Sequence, residues 1–254
     1  MIEFRSLSKR YGTFQALAPL DLSVARGEVF GFLGPNGAGK TTTIRLMMGI
    51  LVPSDGAVLI DGLDCHAQSV EVKRRVGYLP DNPIFYDYLR GREILQFVGE
   101  MHGFSSAESR RRTERLLSEL QLGEAASEFA VNYSMGMKKK LALACALIHD
   151  PAVLILDEPT NGLDPRASRD VQNRLRRSAA DGTTIFLSTH LLDMADRLCS
   201  RIGIIHRGEL VATGTTEALK RQNSAGGSLE EVFLLVTQES SDAAQESHPA
   251  AVGG

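Results

Sequence analysis

The chain has 254 residues, 43% of them hydrophobic and 23% charged, enough apolar material to bury the core of one large domain or of one domain with a subdomain. Its 28 Lys and Arg against 31 Asp and Glu leave a formal net charge of -3, which gives no general electrostatic reason to expect nucleic acid or an anionic membrane surface as a partner. The longest uninterrupted apolar run, Leu141 to Ile148, falls far short of the roughly 18 residues of a membrane-spanning helix.

Taken in chain order, residues 2–30 read as strands, with alternating apolar residues around Ile2-Glu3-Phe4 and turns at Tyr11-Gly12 and Arg26-Gly27. The start Met1-Ile2-Glu3-Phe4 has no basic stretch followed by an apolar one, so no signal peptide is expected. Val29-Phe30-Gly31-Phe32-Leu33 is a short buried strand by its composition. It runs into a glycine-rich loop, and Thr41 to Met48 then has helical spacing, with Ile44, Met47 and Met48 apolar. Val58–Ile60 and Val76–Leu79 predict further short strands. From Gly91 to His149 helix formers dominate, with 3.6-residue periods at 93–101 and 107–120, so this stretch predicts a helical insertion. Strand-like runs return at 153–156, 183–187, 202–205 and 210–213, separated by helical pieces at 166–180 and 190–199. Strands alternating with helices predict an α/β fold with a mainly parallel sheet covered on both faces. The polar tail from about Gln238 has nothing to bury and is expected to be disordered. No internal repeat is visible, and the scattered cysteines Cys65, Cys145 and Cys199 are expected to be buried free thiols in a reducing compartment.

The loop Gly34-Pro35-Asn36-Gly37-Ala38-Gly39-Lys40-Thr41, with Thr42 beside it, matches the phosphate-loop pattern, and it has the required strand before it and helix after it. Glycines let backbone N–H groups approach phosphate oxygens, and the following helix adds unsatisfied N–H groups and its positive end. In this pattern Lys40 reaches the β and γ phosphates of a nucleoside triphosphate and the Thr41 hydroxyl ligates Mg²⁺. A second motif narrows the chemistry. Val153-Leu154-Ile155-Leu156 is an apolar strand ending in Asp157-Glu158. A carboxylate leaving a buried strand supplies a metal contact, here Asp157, and its neighbour Glu158 is placed to polarise a water for attack on the γ phosphate.

Together these residues resemble the ATP-binding subunit of an ABC transporter, over roughly residues 2 to 236. The resemblance implies a P-loop NTPase core with a mainly parallel sheet, an N-terminal antiparallel β subdomain and an α-helical subdomain inserted at about 91–150. Residues 1–236 then form the ATP-binding domain and 237–254 a disordered tail. It implies that Tyr11 stacks on adenine. Tyr133-Ser134-Met135-Gly136-Met137 is similar to the family signature LSGGQ, in a spelling often found in export-type members. Ser134 and Gly136 would then face the γ phosphate of ATP held by a second subunit. Asn161-Gly162-Leu163-Asp164 resembles the loop through which two subunits communicate, and His190 matches the histidine at the γ phosphate and attacking water. Asp81 stands where the family usually has Gln. It can still ligate Mg²⁺, but it is shorter and adds negative charge beside a triphosphate.

The resemblance further implies a homodimer or a heterodimer with a related chain, closing on two ATP molecules and driving a separate transmembrane permease. Such a chain is cytoplasmic and peripheral on the inner face of the cell membrane. Residues 82–100, including Tyr86, Tyr88 and Leu89, occupy the region that receives the permease, although the same aromatics can equally pack inside the subdomain. Ser228-Leu229-Glu230-Glu231-Val232-Phe233 resembles the ending of export-type bacterial members, which favours export. Two other readings are a soluble ABC-type ATPase of DNA repair or translation and a non-hydrolysing regulator. Neither a second cassette nor a zinc-binding insertion is visible, and Lys40, Asp157, Glu158 and His190 are all intact.

Overall fold

The computed structural model describes residues 1–222 and 228–246. In chain order its strands are β1 (Ile2–Tyr11), β2 (Phe14–Val24), β3 (Val29–Leu33), β4 (Asp55–Ile60), β5 (Leu63–Asp64), β6 (Val76–Leu79), β7 (Val153–Asp157), β8 (Thr184–Thr189), β9 (Arg201–His206) and β10 (Glu209–Thr215). The helices are α1 (Lys40–Met47), α2 (Ser69–Arg75), α3 (Gly91–Met101), α4 (Ser106–Glu119), α5 (Met135–Leu147), α6 (Pro165–Ala180), α7 (Leu192–Leu198), α8 (Thr216–Gln222) and α9 (Leu229–Glu246).

Two sheets organise the fold. The first has the order β2-β1-β4-β5 and is antiparallel; the second has the order β10-β9-β3-β8-β7-β6 and is parallel except for the edge strand β10. The side-chain alternation of a strand explains why the second sheet is buried on both faces. Leu154 and Leu156 of β7 join one apolar cluster with Ile185 and Leu187 of β8, while Val153, Ile155 and Phe186 join the other. Phe186 is the centre of an aromatic group, with Phe4, Phe30 and Phe32 at ring-centroid distances of 6.0, 5.7 and 5.5 Å. Phe4 comes from the first sheet, so these contacts dock the antiparallel sheet onto the parallel one.

Helices α3, α4 and α5 lie between β6 and β7 in the chain, and their apolar residues Leu95, Leu116, Leu117, Leu141 and Leu143 share a cluster with β7 and β8. The parallel sheet brings the carboxyl ends of β3, β6, β7 and β8 to one edge, the crevice where open α/β sheets bind ligands.

Several expectations need adjustment. Helix α9 runs to Glu246, so residues 238–246 are helical where a disordered tail was expected. Gln, Glu and Ala are good helix formers, and once Leu229 and Val232 anchor the first turn, propagation costs little. The remainder of the expected tail, 247–254, lies outside the described residues. Helix α7 starts at Leu192, so His190 sits in the loop that leaves β8 and not in the helix expected at 190–199. The three cysteines are free, as expected; Cys65 and Cys199 are buried, and Cys145, half-buried as a residue, also has its thiol shielded from water and pushed up to about 12. Burial pushes the Cys65 and Cys199 thiols up to about 12, which keeps them protonated and unreactive.

Candidate nucleotide site

The loop between β3 and α1 is shaped by its glycines. Gly39 has φ 110°, a left-handed conformation that L side chains rarely adopt, and it precedes the first residue of α1. At Gly34 a Cβ would lie 2.4 Å from the Ile205 carbonyl oxygen, so a larger residue cannot fit against β9. Lys40 is buried under this loop. Its ammonium donates to the Gly34 and Pro35 carbonyls at 2.6 and 3.2 Å and stands 3.4 Å from Glu158 Oε1.

Strand β7 delivers two carboxylates. Asp157 Oδ2 accepts a hydrogen bond from Thr41 Oγ1 at 3.3 Å, and Oδ1 accepts one from Ser188 Oγ at 2.5 Å. Burial raises the Asp157 pKa; the bonds from Ser188 and Thr41 oppose that rise, and the nearby charges of Asp81 and Glu158 add to it. Glu158 has φ 47°, unusual for a non-glycine residue. Its N–H still donates to the Ser188 carbonyl, so the chain leaves the sheet with its last ladder bond made and turns immediately after. The side chain then meets Lys40 on one side and His190 on the other, with Glu158 Oε1 2.9 Å from His190 Nδ1. The His190 backbone N–H also donates to Glu158 Oε2 at 3.4 Å.

A cleft of about 410 Å³ lies against these residues. Its lining includes Tyr11, Phe14, Asn36, Lys40, Thr41, Asp81, Asp157 and Glu158. Pro35, Gly37, Gly39 and Thr42 also face it, whereas Gly34 and Ala38 are buried beneath the loop. Tyr11 and Phe14 are paired across the β1–β2 hairpin and expose their rings. The Lys9 ammonium sits 5.0 Å from the centroid of the Tyr11 ring. The cleft therefore has an aromatic end and an end of loop amides, one lysine and three carboxylates.

Ser134 and Gly136 do not line this cleft. Ser134 caps α5, its hydroxyl accepting from the Met137 N–H at 3.3 Å, and it is exposed. A Cβ on Gly136 would meet nothing closer than Ala167 Cβ at 3.7 Å, so nothing within the chain requires glycine there. Asp164 accepts from the Arg166 and Ala167 N–H groups as the N-cap of α6, which gives the loop after β7 a fixed end.

Phe14, Ser188 and Lys139, at or beside the site, escaped sequence reasoning, and Asn161, read there only as part of the loop after β7, makes a contact that reading did not predict. Phe14 is a second aromatic at the Tyr11 end, and a hairpin register is what pairs them. Ser188 precedes Thr189-His190 and holds Asp157. Asn161 donates to Asp81 Oδ1 at 3.4 Å. Lys139 is 1% exposed and donates to the Glu158 carbonyl and, at 3.4 Å, to Asp81 Oδ1. Burial lowers the Lys139 pKa and the Asp81 charge opposes that shift.

Comparison with known proteins agrees with this geometry. A family model described as ABC transporter matches residues 17–161. The probable multidrug ABC transporter ATP-binding protein of Escherichia coli K12 is 37% identical over 224 residues, covering 88% of this chain but only 39% of its own length. The Nod factor export ATP-binding protein I of Paraburkholderia xenovorans is 41% identical over 218 residues, covering 86% of this chain and 72% of its own. A solved structure of the ATP-binding subunit of an ABC transporter superposes with a TM-score of 0.87 at 36% identity, covering 93% of this chain and 99% of that one. With the phosphate loop, the Asp157–Glu158 strand end and the inserted helices arranged as they are, this chain belongs to the family of ABC transporter ATP-binding proteins.

Proposed function

We propose that this chain binds ATP with Mg²⁺ and hydrolyses it to energise export of a substrate through a separate transmembrane permease. The observation that carries the hydrolytic reading is Glu158, held between Lys40 and His190 at the edge of a cleft that also contains the phosphate loop. A pure binding module has no need of a carboxylate kept in a left-handed backbone conformation at that point.

The roles follow from the donors and acceptors. The loop amides and the Lys40 ammonium hold the phosphates, with Lys40 leaving its carbonyl partners for the β and γ oxygens. Glu158 accepts the proton of the attacking water, and His190 orients Glu158 and adds a donor near the γ phosphate. Thr41 and Asp157 offer two hard oxygens 3.3 Å apart, which suits Mg²⁺. Among the described residues no group of three or more His, Cys, Asp and Glu forms a metal cage, and Mg²⁺ held largely by phosphates and water needs none. When bound, the ion neutralises charge that develops on the phosphate oxygens. Asp81 lines the same cleft and offers a further carboxylate there.

Of the residues lining the aromatic end, Tyr11 alone carries a polar side-chain group, its hydroxyl, and the Lys9 ammonium lies against the Tyr11 ring, so stacking supplies affinity without reading the base edge. GTP should therefore be hydrolysed within about tenfold of ATP, because no base-edge contact discriminates the two. Parallel kcat/KM measurements test this; a preference of a thousandfold would mean that another group reads the base.

The site is half-built within one chain, because Ser134 and Gly136 lie outside the cleft at the exposed N-terminus of α5. A second copy or a related chain, packed so that each α5 faces the other's phosphate loop, completes two sites. Gly136→Asp tests this arrangement. An acidic residue in the first turn of α5 favours the helix, and there is room for the side chain, so the thermal midpoint should hold. The added charge faces a partner-held phosphate, and phosphate release should fall on the order of tenfold or more. Full activity in that variant would refute the shared site.

Tyr86 and Tyr88 are exposed, and with Asp87, Leu89 and Phe97 they line a mainly apolar groove where the chain enters the helical insertion, suited to a permease at the inner membrane face. Among the described residues no helix is long and apolar enough to cross a membrane. A polytopic protein co-purifying from solubilised membranes, with ATP hydrolysis stimulated in the complex, supports the transport reading; ribosomes or DNA in its place would oppose it.

A further inference from the structure

Besides Lys40, the structure holds a second buried lysine beside the cleft, and the chemistry described so far does not use it. Lys139 projects from α5 and donates to the Glu158 carbonyl and to Asp81 Oδ1. The same Oδ1 accepts from Asn161 Nδ2, and Asp81 Oδ2 accepts from Asn82 Nδ2 at 3.2 Å. One carboxylate thus joins the segment after β6, the helix α5 and the loop after β7. A buried ammonium persists only with acceptors around it, and an apolar residue at position 81 would leave the Lys139 ammonium hydrogen-bonded to the Glu158 carbonyl without the Asp81 carboxylate. The dependence also runs the other way. Asp81, Asp157 and Glu158 all line the cleft that must take a triphosphate, and Lys40 is the one cation among its lining residues. Lys139 is the further positive charge that offsets this excess of carboxylates from behind the cleft wall.

We propose that Lys139 is a positioning residue for the ATPase reaction: it holds Asp81 as a charge-compensated carboxylate on the cleft wall and ties it to α5, the helix whose N-terminus carries Ser134 and Gly136. The proposal rests on the ATPase reading above and adds a residue pair to it. Movement of Asp81 on arrival of the nucleotide then pulls on α5 through an ion pair, where a neutral side chain would offer a weaker hydrogen bond.

The test compares the full chain with Lys139→Gln, Asp81→Gln and the double variant, by affinity for a fluorescent ATP analogue with Mg²⁺ and with EDTA, by kcat and KM, and by thermal midpoint. Lys139→Gln should weaken nucleotide binding about tenfold in EDTA and less with Mg²⁺, because the ion replaces the missing positive charge. Asp81→Gln should lower the thermal midpoint, because it removes the carboxylate beside a buried ammonium. The double variant removes both charges together and should return affinity and midpoint to within about threefold and a few degrees of the parent. Single-variant losses that simply multiply in the double, or an unchanged EDTA affinity in Lys139→Gln, overturn the proposal. Should Lys139→Gln not fold, the double variant decides: recovery supports the pair and continued failure to fold overturns it. A parent that releases no phosphate sinks the ATPase reading, and the EDTA binding arm still decides the role of Lys139.

Discussion

Glu158→Gln should lower ATP turnover by about 10²–10⁴-fold, the usual contribution of a positioned general base, while nucleotide affinity stays within a few-fold of the parent. Gln has nearly the volume of Glu, and its carbonyl oxygen can keep the contact to Lys40 at 3.4 Å and accept from His190. What it cannot do is take a proton from water. Binding is carried by the loop amides and Lys40, which this substitution leaves in place. The variant should therefore stop after binding and accumulate as an ATP-bound dimer. Phosphate release under saturating ATP measures the first effect, and size-exclusion with and without ATP measures the second. Turnover within tenfold of the parent would assign the base elsewhere. A chain that stays monomeric with ATP would remove the support for completion of the site by a second copy.

Those parts of the site whose chemistry is local to a few neighbouring residues were legible before the structure. The phosphate loop needs its glycines and Lys40 within a single turn, flanked by β3 and α1, and that spacing is written in consecutive positions. Asp157 and Glu158 end an apolar run, so their exit from a buried strand can be read directly. Lys139 was not legible, because it lies in the run Lys138-Lys139-Lys140, which reads as a solvated face. Its burial depends on Asp81 and Glu158, which are 58 and 19 residues away along the chain. The same is true of Phe14, whose place at the cleft depends on its register opposite Tyr11. Short elements escaped for a different reason. Helix α2 has seven residues and β5 two, too few for a period to emerge. Asp81 shows both situations at once: its departure from the family's usual Gln stands out in the sequence, whereas the lysine that accommodates it is found only by folding the chain.

Lys40→Ala should instead act on binding itself. Lys40 is the one cationic residue lining a cleft that also presents Asp81, Asp157 and Glu158, so without it a triphosphate would meet three carboxylates and the loop amides alone. Truncating one partner of a buried charge-assisted contact costs about 2–5 kcal/mol, or roughly 30- to several-thousandfold in affinity. The empty protein should suffer as well, because the ammonium also satisfies the Gly34 and Pro35 carbonyls; stranding buried acceptors costs about 1–3 kcal/mol in denaturant unfolding. Lys40→Arg should not rescue binding. The planar guanidinium is bulkier than the ammonium and must fit where the Lys40 side chain is 6% exposed and packed against the Gly34 carbonyl. Titration calorimetry with ATP and Mg²⁺ separates this variant from Glu158→Gln, which binds without turning over. If Lys40→Ala binds ATP within about threefold of the parent, the loop amides suffice to hold the nucleotide, and Lys40 would be needed only for charge in the transition state.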